Sequence, residues 1–241
     1  MGIAYTARIY DRLRKRYMRL IPFDEELARK EDGFWYYFFE MLLYAHVAGT
    51  IGVLADHSVP LLAEVKVDDY VMPVLEKAIR YAMRELPPSK RERVKDVLAG
   101  YLPSKAMIRS YMSYAGLFFR EMASRRELPS LWAVVTAEST RAYNIGVIAA
   151  AHKSQIIMGF VFNAVLDEKT SRFCRPRAGM FIPIHDVEKL IRNSPPLHPH
   201  CRSTLVPVNR PAGKEIDDTL LPTPPFFSPQ AELVKLALLG G

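Results

Sequence analysis

The most constraining feature of this chain is a long, mostly apolar run, FWYYFFEMLLYAHVAGTIGVL, from Phe34 to Leu54. Its length would cross a bilayer as a helix. Glu40 and His46 lie inside it, however, and a charge in lipid is costly. Asp24, Glu25 and Glu26 precede the run and Asp56 follows it, so no basic cluster anchors either edge. The run therefore predicts a helix enclosed by protein, either the chain's own or a partner's, and no membrane span.

The rest of the first 154 residues also reads as helical. Ile9, Leu13, Tyr17 and Leu20 form an apolar stripe, and Arg8, Arg12, Lys15, Arg16 and Arg19 recur along another face of the same helix. That face is either a solvated surface or a phosphate-binding one. Pro22 ends the helix. Further helices are predicted from about Asp69 to Leu86, from a Ser89 cap to near Gly100, from a Ser104 cap onward, and from Ser130 through LWAVVTAESTRAYNIGVIAAAHKS. The pattern then changes. MGFVFNAVLD, MFIPI and STLVPV predict three short strands, with a short helix, HDVEKLIRN, after the second. NRPAGKEIDDTLLPTPPFFSP reads as a Pro-rich linker and PQAELVKLALL as a terminal apolar helix built to dock. The fold class is thus α+β, divided into a helical region 1–129, a small α+β domain 130–208, and a linker with a short helix, 209–241.

Charge and cysteine usage narrow the classes further. The formal net charge is +7. Residues 209–241 carry Arg210, Lys214 and Lys235 against Glu215, Asp217, Asp218 and Glu232, a net −1, which leaves +8 on residues 1–208. Such a surplus suits nucleic acid or an acidic protein surface. Two cysteines exclude a disulfide-stapled scaffold and fit a reducing compartment. The N-terminal residues show no apolar h-region with a small-residue cleavage site, and Gly2 makes a poor acylation pattern, so neither a signal peptide nor a lipid anchor is expected.

Both cysteines sit in chemically loaded stretches, Cys174 in LDEKTSRFCR and Cys201 in PPLHPHCRSTLVPV. His198-x-x-Cys201 has the spacing of half a zinc site, and Cys174 adds a third ligand. A fourth would come from His200, His185, Asp167 or water. Three other readings stay open: a cysteine nucleophile paired with His198, a Cys174–Cys201 disulfide, and a polar staple. In the staple Asp167 caps the EKTS turn, Arg202 pairs with Asp167 or Glu168, and His198 bonds buried carbonyls.

The runs TAESTRAYNIGVIAAA, VLDEKTSRFCRPRAGMFIPI and PPLHPHCRSTLVPV, in this order, resemble the phage Mu F-like family of head morphogenesis (minor capsid) proteins. Glu138, Arg141, Asn144, Asp167, Thr170, Cys174, Gly179, Pro183, Pro196, His198, Pro199, Cys201 and Arg202 occupy matching positions. Family members often carry cysteine where this chain has Ser171 and Ser203, and asparagine where it has His200. The resemblance implies a non-enzymatic structural protein of the virion. It would lie in the capsid interior near the portal, after assembly in the host cytoplasm, and take part in DNA packaging and ejection. Its partners would be the portal protein, the major capsid protein and double-stranded DNA. On this reading Phe34–Leu54 and the C-terminal helix are the expected protein contacts, and Arg8, Arg12, Lys15, Arg16 and Arg19 the expected DNA contacts. Zinc at Cys174, His198 and Cys201 would be structural. Related domains fused to toxins imply a rival, a metal- or thiol-dependent enzyme such as a nuclease, and a free-standing DNA-binding module is a second.

Overall fold

The computed structural model describes residues 31–69, 71–111, 131–198, 200–224 and 230–239, with backbone alone at 31–38 and 131–136. The apolar run lies in helix α1 (Glu31–Asp56). Helices α2 (Met72–Arg84) and α3 (Pro88–Leu98) follow, then a helical stretch at 105–111 and helix α4 (Leu131–Ser154). Strand β1 (Gly159–Asn163), strand β2 (Phe181–Pro183), helix α5 (Val187–Asn193), strand β3 (Thr204–Val208) and helix α6 (Gln230–Leu239) complete the order. The described residues form an α+β fold, as the periodicities predict. The basic face at Arg8, Arg12, Lys15, Arg16 and Arg19 lies outside the described residues.

A helix that is apolar all round has to be enclosed. Helix α1 packs on α4, α2 and α3, and every residue from Phe39 to Ala55 is buried. These residues face the chain's own helices, so in this stretch the expected protein contact is internal. Two glycines let α1 and α4 touch backbone to backbone. A Cβ on Gly49 would lie 2.1 Å from the Tyr143 carbonyl oxygen, and one on Gly146 would lie 2.1 Å from that of His46. The three polar residues inside the run have partners on other elements, and Thr50 donates to the Gly146 carbonyl of α4 at 3.4 Å. Glu40 pairs with Lys77 of α2 at 2.5 Å, and His46 Nδ1 meets the Tyr111 hydroxyl at 2.8 Å. At the end of α1, Arg93 of α3 donates to the Ala55 carbonyl at 2.5 Å and Lys90 pairs with Asp56 at 2.8 Å. Arg93 thus satisfies carbonyls that the helix leaves open, and Lys90 neutralises the last carboxylate. No helix among the described residues is long and apolar enough to cross a membrane.

Two helix starts differ from expectation. Helix α2 begins at Met72 rather than Asp69, because Pro73 fits only the first turn. Helix α3 begins at Pro88, one residue before the expected Ser89 cap, and no side chain caps it. Ser104 does cap its helical stretch, accepting from the Met107 amide at 3.2 Å.

The strands form one antiparallel sheet in the order β2-β1-β3. The central strand β1 buries Phe160 and Phe162. Prolines cannot donate to a ladder, and Pro183 and Pro207 both lie on the outer strands. One buried cluster runs from Phe39 to Ala237, so the three segments distinguished by composition share a single core.

The stretch after β3 is not a free tether. The Phe181 amide donates to the Lys214 carbonyl at 2.9 Å, and Arg177 donates to the Pro222 carbonyl at 3.1 Å. Arg192 of α5 pairs with Asp218 at 2.8 Å. Helix α6 then packs on α4 and α5, burying Gln230, Leu233, Val234 and Ala237. The expected docking helix therefore docks on its own chain. Its apolar side is complementary to α4, which no periodicity within the tail could disclose.

Candidate functional site

The loops at one end of the sheet carry a thiol–imidazole cluster. Cys174 lies just ahead of a short 3₁₀ turn, Arg175–Arg177, and is held there by its amide, which donates to the Ser171 hydroxyl at 3.1 Å. His198 and Cys201 come from the loop leading into β3, in which the Pro195–Pro196 bond is cis. Cys174 Sγ lies 3.2 Å from His198 Nε2 and 3.7 Å from Cys201 Sγ. The three ligand atoms all fall within 4.8 Å of one another. The Phe173 ring stacks on the imidazole with centroids 6.3 Å apart and planes at 27°. Both cysteines are buried and neither is in a disulfide.

The two sulfurs are electrostatically unlike. Hydrogen bonding from Cys201 pulls the Cys174 thiol down to about 4, against the opposing effect of burial and helped by His198 and the Ser171 and Ser203 hydroxyls. Burial pushes the Cys201 thiol well up, and the neighbouring Cys174 adds to that rise. The surroundings thus favour ionisation of Cys174 over Cys201. Two thiols beside an imidazole can bind a soft metal ion, supply a nucleophile or oxidise to a disulfide.

His185, His200 and Asp167 are not part of the cluster, so none supplies the fourth ligand that the sequence left open. Asp167 is committed to a neighbouring salt bridge. Arg202 donates to both of its carboxylate oxygens, at 2.8 and 2.7 Å. Asp167 also caps the EKTS turn, accepting from the Lys169 amide at 3.0 Å. The Arg202 guanidinium holds the Asp167 carboxyl down at about 2. His200 is exposed and takes φ 58°, a left-handed conformation that Asn, Asp and His enter more readily than other side chains.

Behind the cluster, α4 is tied to the same loops by polar groups. The Thr140 hydroxyl donates to the Cys201 carbonyl at 3.1 Å, and Asn144 Oδ1 accepts from the Leu205 amide of β3 at 2.7 Å. One turn earlier, Arg141 and Glu138 form a buried ion pair, Nε to Oε2 at 3.0 Å. The same guanidinium donates to Gln230 Oε1 of α6. Gly179 has φ +82°, closing the turn into β2, and its carbonyl accepts from the Lys214 amide at 2.7 Å.

Sequence reasoning did not single out Thr140, Gln230 or the buried Arg177–Asn193–Asp218 network. Arg177 Nε donates to Asn193 Oδ1 at 2.7 Å, and Asn193 Nδ2 donates to Asp218 at 2.7 Å. The only available signal was indirect: Asn193 and Asp218 break otherwise apolar or proline-rich neighbourhoods. No family model, curated protein or solved structure matches this chain.

Proposed function

We propose that this chain is a phage-type minor head protein that acts through binding surfaces and joins the capsid interior beside the portal. One observation carries the reading. Three sequence runs that resemble the Mu F-like motif, separated by intervening segments, converge on one polar knot. Glu138, Arg141 and Asn144 lie on α4, and Asp167, Thr170 and Cys174 on the first loop. His198, Cys201 and Arg202 lie on the second, and hydrogen bonds join the three groups. A motif whose members serve each other's placement suits a scaffold held in an assembly.

The partners under this proposal are the portal protein, the major capsid protein and packaged double-stranded DNA. Helix α1 buries Phe39 to Ala55 inside the chain and α6 turns Leu233, Val234 and Ala237 inward while leaving Leu239 exposed, so docking falls mainly to other surfaces. Arg8, Arg12, Lys15, Arg16 and Arg19 remain the proposed DNA contacts. Changing three of them to glutamine is expected to flatten the salt slope of DNA binding by about three. An unchanged slope removes DNA contact from that face.

A thiol-dependent enzyme is the second reading, favoured by the Cys174–His198 contact of 3.2 Å. Burial of Cys174, only 3% exposed, weighs against a nucleophile that has to reach a substrate. The deciding experiment co-expresses the full chain with the portal and major capsid proteins of the same genome. Recovery of the chain in heads and portal fractions is expected. Heads that form normally and exclude it contradict the proposal.

A further inference from the structure

We propose that Cys174, His198 and Cys201 together bind one zinc ion, whose fourth coordination position is taken by water beside the Ser171 and Ser203 hydroxyls. This is independent of the head-protein reading. Two zinc–sulfur bonds of about 2.3 Å at a tetrahedral angle place the sulfurs roughly 3.8 Å apart. The observed separation is 3.7 Å. A tetrahedral sulfur–nitrogen pair spans roughly 3.6 Å; His198 Nε2 lies 3.2 Å from Cys174 Sγ and within 4.8 Å of Cys201 Sγ, so the imidazole closes the site by moving outward from Cys174 to sit evenly between the two sulfurs.

The donor set selects the metal. Two sulfurs and an imidazole are poor ligands for magnesium or calcium, which take oxygen. Two thiolates also neutralise a divalent zinc ion, so the loaded site carries no net charge into a buried position. Cysteine binds zinc as the thiolate, so loading the site releases protons to solvent and affinity falls in acid.

The ligands are placed before any metal arrives. Cys174 is held by its amide on Ser171, and Cys201 by the Thr140 hydroxyl on its carbonyl. The Cys201 amide donates to the His198 carbonyl at 3.2 Å, and Phe173 stacks on the ring. Outer contacts of this kind orient ligands in metal sites. The Ser171 hydroxyl accepts from the Cys174 amide at 3.1 Å, and the Ser203 hydroxyl is near enough to help lower the Cys174 thiol, so a sulfur substituted at either position would fall beside the cluster.

The test uses the full chain, purified under reducing conditions and titrated with zinc or cobalt(II). Stoichiometric zinc by elemental analysis is expected, and the cobalt form should show tetrahedral visible bands with thiolate charge transfer. Cys201→Ser should weaken binding by more than the roughly tenfold to hundredfold cost of losing an outer-shell contact. Ser203→Cys should tighten binding and strengthen the charge-transfer band. Should Cys201→Ser fail to fold, the wild-type cobalt spectrum and Ser203→Cys still decide the matter. A wild-type chain that takes up no stoichiometric zinc, or whose cobalt spectrum is octahedral without charge transfer, overturns the proposal. So does binding unaltered in folded Cys201→Ser.

Discussion

The α1–α4 pair and the sheet end beneath it are joined by one core yet held by different forces. Between α1 and α4 the contacts are almost wholly apolar, and two glycines bring the backbones together. At the sheet end three short strands enclose little, and side-chain ties make up the difference: Asn144 to β3, Thr140 to Cys201, Arg202 to Asp167, Arg177 to Asn193. Packing is tolerant of sequence but not of volume. Polar ties tolerate volume but not the loss of a partner. The two regions should therefore fail in different ways.

The largest effect is expected where a charge is stranded. Glu138→Ala leaves the Arg141 guanidinium buried without its carboxylate and should cost about 3–5 kcal/mol in chemical denaturation. Replacing both residues by apolar ones of similar size should cost far less. If the single and double variants are equally unstable, the pair is not acting through charge.

Next comes the helix crossing. Gly49→Ala drives a methyl group into the Tyr143 carbonyl oxygen, and overpacking of this kind costs about 1–3 kcal/mol. Gly100→Ala meets Leu62 Cβ at 2.7 Å and the Leu62 carbonyl oxygen at 2.9 Å, a clash less severe than that at Gly49, and should cost less. A Gly49→Ala variant as stable as wild type would show that the close helix approach is dispensable.

Acid should act on both regions, through different groups. Burial, with the Lys153 charge behind it, pushes His46 down to about 3. The unfolded chain takes up this proton near pH 6.5 and the folded one does not. Stability contributed by neutral His46 is therefore complete above pH 6.5 and lost as pH falls toward 3, at up to about 1.4 kcal/mol per pH unit. His46→Leu should flatten that part of the stability–pH curve. Asp167, held at about 2, contributes above pH 4 and loses its contribution between about 4 and 2. It is exposed, so Asp167→Asn should lower the melting temperature least of these variants.

How far the fold was legible follows the same division. Helix α1 could be read because a long apolar run interrupted only by Glu40, His46 and Thr50 admits few alternatives. The strands β1, β2 and β3 were visible as β-rich runs between turn residues, and Asp167 with Arg202 from the spacing of a turn cap. The Cys174, His198 and Cys201 cluster was legible because only two cysteines exist to be placed. What the sequence concealed were long-range complements. Gln230 meets Arg141 and Asp218 meets Asn193 across segments with no shared periodicity. The proline-rich stretch read as a tether because prolines report only on local backbone, while its carbonyls serve β2 and Arg177.

Native-state hydrogen exchange in low denaturant tests the division most directly. Amides of α1 between Leu42 and Leu54, and of α4 between Ala142 and Ala151, should exchange only with global unfolding. Amides in β1 and β3 should open at lower free energy, and Cys201→Ser should lower that opening further without altering the α1 amides relative to global unfolding. A single opening free energy shared by helices and strands, in both wild type and variant, would contradict the account.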